Sequence, residues 1–310
     1  VSNKSKIEWT DRVWNPVTGC TKISTGCENC YAERMAKRMH AMGQPNYKKG
    51  FEVTEHPHML ERPFRLRNPY KIFVCSMGDL FHGKVSFEYI AAVFGVMAAN
   101  PQHQFQVLTK RPGTMKLWFE WISHFKDGES LNCAYQLLYH ERAYHPKEDG
   151  GPIHCKWGPD PDAAWPLPNV WLGVTAENQK TADERIPLLL QCPAAVRFVS
   201  CEPLLGSIDL TELTLVQPDQ KWGVGVHLDA LSGHVKGPDE MINKLDWVIA
   251  GCESGPRRRE TKKEWVNDLQ QQCGEAGVPF FLKQMEVDGV LEKMPKLNGQ
   301  VWNQFPEVSG

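Results

Sequence analysis

The chain has 310 residues, 41% hydrophobic and 23% charged, with a formal net charge of −2. That is enough for one large domain or two modest ones, and the near-neutral balance excludes a protein that coats nucleic acid by charge alone. No apolar run approaches the ~18 residues of a membrane span, and the opening "VSNKSKIEWTDRVW" has no apolar signal core, so a cytoplasmic protein with no membrane partner is expected.

In chain order, the first strand candidate is the weak run at 12–19. Clearer ones follow at 71–77, 105–110, 169–175, 196–201, 246–252 and 278–284, all short and rich in β-branched and aromatic residues. Their near-continuous apolarity predicts strands covered on both faces, as in a parallel sheet. Helix-like segments fall between them at 28–43, 86–100, 114–125, 180–192 and 261–277, with Pro187 predicting a local kink in the fourth. The alternation predicts an α/β fold. With about six to seven parallel strands, a complete or partial (β/α) TIM-type barrel is favoured over an open sheet. Two irregular stretches, 123–168 and 211–244, interrupt the rhythm and read as lids or substrate loops inserted into one domain spanning 1–310.

Ten cysteines in a cytoplasmic chain suggest thiols and metal ligands rather than disulfides. Cys20, Cys27 and Cys30 form C-x6-C-x2-C just before the first helix. A structural zinc site needs four ligands, and the fourth would have to be His40 or a remote cysteine at no standard spacing. Three thiolates on one loop also suit a [4Fe–4S] cluster with one iron left open to a cofactor. Amides at the helix start would stabilise its negative charge. The residues alone leave cluster, zinc and unligated thiols open.

A trio in the loop after the first strand of a (β/α) barrel resembles the radical S-adenosylmethionine enzymes. The usual spacing there is C-x3-C-x2-C. Here the first gap is six residues, and Asn29 stands where an aromatic is frequent, with Tyr31 just after. The stretches "WNPVTGCTKISTGCENCYA", "SMGDLFH", "FQVLTKRP", "NVWLGVTAEN", "CEPLLG", "DWVIAGCESGP" and "FFLKQM" resemble a phage-associated family with a three-cysteine motif, found also in bacteria. That family is similar in architecture to radical S-adenosylmethionine enzymes, the spore photoproduct lyase branch in particular. The resemblance implies a [4Fe–4S] cluster on Cys20, Cys27 and Cys30, S-adenosylmethionine on its open iron, a 5′-deoxyadenosyl radical and a reducing electron donor. It also implies the host cytoplasm, if the chain is phage-encoded. It supplies no reaction.

In a barrel the C-terminal strand ends share one mouth. Ser76, Asp79, Lys110 and Glu177 or Asn178 would offer the donors and acceptors that S-adenosylmethionine needs, with Tyr31 beside the trio. Glu202 and Glu253 would face the substrate. Each carboxylate also has a plain alternative as a helix cap. Cys201 and Cys252 are candidate hydrogen donors to a substrate radical, although buried cysteine, Cys75 included, is most often a small hydrophobe. Arg111 and the run Arg257, Arg258 and Arg259 could grip phosphates. With "ERPFRLRNPYK" at 61–71 they favour a nucleobase, nucleotide or DNA substrate, modified or repaired. A duplex base would have to leave its stack. Cys133, His140, His145, His154 and Cys155 are a weaker zinc candidate with no familiar spacing. The alternative function is a non-enzymatic, zinc- or cluster-stabilised nucleic-acid-binding module. A metal-independent hydrolase using Asp79, Glu202 and Glu253 lacks a nucleophile elbow.

Overall fold

The computed structural model describes residues 5–124, 166–215, 225–237, 239–255 and 257–307. Its central sheet has eight strands: β1 (Arg12–Trp14), β2 (Lys71–Val74), β3 (Gln104–Thr109), β4 (Val170–Thr175), β5 (Val196–Cys201), β6 (Trp247–Gly251), β7 (Phe280–Val287) and β8 (Val290–Lys293). They lie side by side in chain order. β1 to β7 are parallel, and β8 turns back antiparallel on β7.

The expected TIM-type barrel does not form. The sheet is mixed and open, with β1 and β8 at its edges and no ladder between them among the described residues. Side chains bridge the gap instead: Lys293 on β8 donates to the Lys6 carbonyl at 3.0 Å and pairs with Glu8. Helices α1 (Tyr31–Ala41), α2 (Phe87–Ala98), α3 (Pro112–Ser123), α4 (Gln179–Leu189) and α5 (Lys263–Ala276) fall between successive parallel strands. From β5 to β6 the described chain runs instead through a four-stranded antiparallel sheet of Leu213–Thr214, His227–Asp229, His234–Val235 and Glu240–Met241. Its Leu213, Leu228 and Val235 join the main core, so this part of the 211–244 insertion is a packed element. Of the 123–168 insertion, residues 125–165 lie outside the described residues, and Cys133, His140, His145, His154 and Cys155 with them.

Burial of both faces accounts for the difference. β4 and β6 are buried along their whole length, which in a barrel would be the work of the opposite strands. On one face Val74, Val107, Leu172 and Leu282 pack with Ile90 and Phe94 of α2, Ile186 of α4 and Leu269 of α5. On the other, alternate residues near the strand starts (Trp171, Phe198, Trp247 and Phe281) gather with Trp9 from the N-terminal segment and Phe305 from the C-terminal one. The rings of Trp9, Trp171, Phe198, Phe281 and Phe305 lie 5.1–6.3 Å from that of Trp247. The terminal segments thus replace a barrel's missing strands over the lower half of this face. Towards the strand C-termini the same face turns polar with Lys110, Thr175, Glu202 and Lys283. No helix among the described residues is long and apolar enough to cross a membrane.

Candidate functional site

After β1 the chain makes a short pairing of Val17–Thr18 with Thr54–Glu55 and enters the cysteine loop. Thr25–Cys27 form a single 3-10 turn. Cys30 caps α1, its Sγ accepting from the Glu33 amide at 3.5 Å. A sulfur at a helix N-terminus faces the positive end of the dipole, so negative charge there is favoured.

Three strand-end carboxylates, each with cationic partners, hold this loop. The first is Asp79, which follows β2 and accepts from Thr109 Oγ1 at 2.7 Å, the Phe81 amide at 3.0 Å and Arg111 Nη1 at 2.9 Å. Arg111 in turn donates to Cys20 Sγ at 3.3 Å and to the Thr21 carbonyl at 2.8 Å. The second is Glu177 after β4, fully buried, which binds Lys110 Nζ, Arg185 at 3.1 Å and Ser24 Oγ at 2.8 Å. A Cβ on Gly26 would lie 2.3 Å from Glu177 Oε1, so only glycine lets the loop settle this close. The third is Glu253 after β6, which accepts from Asn29 Nδ2 at 2.9 Å and the Arg259 amide at 2.8 Å, and pairs with the Arg259 guanidinium. Arg259 also reaches Glu28 at 3.0 Å and the Thr25 carbonyl at 2.8 Å. The six-residue first gap of the trio is therefore where Thr21, Ser24 and Thr25 receive their anchors.

Beneath the loop is a cavity of about 270 Å³, lined by Cys20, Cys27 and Cys30 together with strand-end side chains. All three thiols are unpaired and partly buried. Cys20 is pushed up by burial and by Asp79, with Arg111 opposing. Cys27 is resisted by burial, but hydrogen bonds from the Ile23 and Ser24 backbone and the Lys110 charge outweigh that and hold it below the ordinary thiol value. Among the described residues no three His, Cys, Asp or Glu side chains are arranged to hold a single metal ion.

Tyr31, Ser76, Asp79, Lys110, Arg111, Glu202, Cys252 and Glu253 line the same cavity. Several are already committed. Asp79 and Glu253 are spent on the loop, Lys110 on Glu177, and Ser76 donates to Asn15 at 3.2 Å. Glu177 lies behind the wall. Asn178 is the N-cap of α4, in a reciprocal capping box with Thr181. Cys201 faces the helix layer, fully buried, and does not line the cavity; burial and neighbouring Cys273 push its thiol far up. Arg258 is tied to Glu286 and to the Gly289 carbonyl at 2.8 Å. Arg257 is exposed at the rim. The uncommitted polar floor is the ion pair of Lys283 with Glu202, at 3.0 Å, beside Cys252. Burial and Glu202 push the Cys252 thiol up to about 11.

Sequence reasoning missed Arg185, Ser24, Arg34 and His82; it noted Asn29 without giving it a role, and it placed Lys283 at a strand end of the mouth, where the structure has it. The Lys84 amide donates to His82 Nδ1 at 3.1 Å, which places the proton on Nε2, 2.9 Å from Thr21 Oγ1. The stretch "SMGDLFH" contains this residue, but nothing local distinguishes it.

The model of the family described as "Protein of unknown function (DUF5131)" matches residues 4–306. The chain belongs to this family. For this DUF5131 member, no curated protein and no solved structure matches. The match runs from before β1 to beyond β8, so the cysteine loop and all three carboxylate anchors fall within the family's span.

Proposed function

We propose that the chain is a radical S-adenosylmethionine-type enzyme acting on a nucleotide-bearing substrate, with a [4Fe–4S] cluster on Cys20, Cys27 and Cys30. The observation that carries this reading is convergence: three unpaired thiols on one anchored loop open on the same cavity as Glu202, Lys283 and Cys252. The donor set fits. Thiolates suit iron–sulfur clusters, and Arg111 and the α1 amide supply donors to Cys20 and Cys30. With its cofactor bound, such a cluster supplies one-electron cleavage of a sulfonium.

The chain's own residues orient, exclude water and manage hydrogen. Arg111, Ser24 and Asn29 hold the loop in place. Lys283 and Glu202 offer a polar ligand one donor and one acceptor side by side. Cys252, raised to about 11, remains S–H at neutral pH, the form able to give up a hydrogen atom.

Anaerobic reconstitution tests this: about four irons per chain are expected for the intact cluster, lost in Cys27→Ala. The dithionite-reduced protein should then release 5′-deoxyadenosine from S-adenosylmethionine. Colourless protein carrying one zinc per chain would overturn the reading in favour of a zinc-stabilised nucleic-acid-binding module.

A further inference from the structure

Beside the cysteine cavity lies a second one of about 380 Å³. Asn29, Cys30, Glu253 and Ser254 line both, so the two share a rim. The second cavity's walls carry five cations, Lys22, Arg34, Lys37, Arg257 and Arg258, against three carboxylates, Glu28, Glu33 and Glu253. Lys22 and Lys37 share one carboxylate, Glu33, at 3.2 and 2.7 Å, which leaves a positive charge over. Arg34 lies one helical turn after Cys30 and donates to the Ser254 carbonyl at 2.9 Å. A Cβ on Gly255 would lie 2.7 Å from Arg34 Nη1, so the guanidinium rests directly on that turn. Arg257 is held at the rim by its backbone carbonyl, which accepts from Asn29 at 3.0 Å, while its side chain is exposed. Neither Arg34 nor Arg257 has a carboxylate partner among the described residues, whereas Arg258 and Arg259 are committed to Glu286 and to Glu253 and Glu28.

We infer that this groove binds a phosphate group through Arg34 and Arg257, with Lys22 and Lys37 adding charge, and that the phosphate belongs to a nucleotide or a nucleic-acid strand. The inference rests on the nucleotide-substrate part of the function proposed above. Guanidinium forks match phosphate oxygens bidentately. A recessed groove with two such forks suits a compact phosphate better than the dispersed carboxylates of an acidic protein. A phosphate seated here extends the rest of its nucleotide over Asn29 and Cys30 towards the cysteine cavity.

Fluorescence anisotropy of the full chain with a labelled single-stranded oligonucleotide tests this. Arg34→Gln with Arg257→Gln should weaken binding by roughly tenfold or more. The slope of log affinity against log salt should fall by about 1.4, for two lost contacts to a single strand. Arg34→Lys should retain part of the binding, and unchanged circular dichroism excludes misfolding as the cause. Competition by a nucleoside 5′-phosphate but not by the nucleoside assigns the site to a mononucleotide, and competition only by oligonucleotide assigns it to a strand. Unaltered oligonucleotide affinity in the double variant, no binding by the wild type, or a loss confined to an acidic protein partner would overturn the inference. Iron content is a separate readout. The double variant should keep its cluster, so failure of the groove and failure of the cluster assignment are told apart.

Discussion

At Gly26 the loop backbone passes so close to Glu177 that an added methyl would meet its carboxylate at 2.3 Å. Gly26→Ala must therefore displace either the loop or a buried carboxylate that three groups hold. We expect a loss of roughly 1–3 kcal/mol, the usual range for overpacking, read by urea denaturation, with a fall in iron bound after reconstitution. Glu177 itself is costlier. Its removal leaves Lys110 and Arg185 facing each other without a carboxylate between them, and breaking a buried pair on one side costs about 3–5 kcal/mol. Glu177→Ala should lose stability on that scale, whereas substitution of exposed Lys48 should leave it unchanged. Arg111 acts through its contacts to Cys20 and Thr21. Arg111→Gln should lower iron retention more than it lowers the melting temperature, because Asp79 keeps its bonds to Thr109 and the Phe81 amide. If retention and melting temperature fall in step, Arg111 is a general strut rather than a support for the cysteine loop.

At the level of elements, the fold divides at mid-strand. The aromatic cluster around Trp247 fixes the lower half, and Trp247 also donates to the Gln304 carbonyl at 2.9 Å. Trp247→Ala should cost about 3–5 kcal/mol, the range for deleting a large buried aromatic; Trp247→Phe should cost less, and thermal melts would order the two. This division also shows what a sequence can reveal. The runs "NVWLGVT" and "DWVIAGC" announce strands covered on both faces, because a strand with one face in water would alternate apolar with polar residues. They do not say what the cover is. Trp9 and Phe305 come from the two ends of the chain, far from the strands they seal, so an open sheet carries the same pattern as a barrel. The cysteine trio stands out by its spacing alone, and the structure brings its three thiols to one cavity. The roles of the carboxylates are not. Ser24 meets Glu177 and Asn29 meets Glu253 at separations of 153 and 224 residues, and polarity after a strand looks the same whether the group grips a loop or a ligand.

Over the whole molecule, packing holds one end of the sheet and charge holds the other, which makes acid a selective probe. Burial resists the ionisation of Glu177, but Lys110 and Arg185 outweigh it and hold its pKa below the ordinary 4.5. Glu253 is lowered in the same way, with Arg259 and Asn29 outweighing burial. Both groups therefore bind protons more weakly folded than unfolded. Their contribution to stability is complete above pH 4.5 and is lost as pH falls through the lowered folded values. The buried tryptophans lie in apolar packing: Trp9, Trp171 and Trp247 in the aromatic cluster at the strand starts, Trp14 and Trp118 in the main core. An acid titration of the reconstituted protein should thus release iron, as Glu177 and Glu253 protonate, before the tryptophan signal shifts. In a Glu177→Gln, Glu253→Gln variant the unfolding free energy should start lower at neutral pH and decline less steeply below 4.5. Coincident loss of iron and tryptophan signal, with an unchanged slope in the variant, would mean that Glu177 and Glu253 are not what holds the cysteine loop to the strand ends.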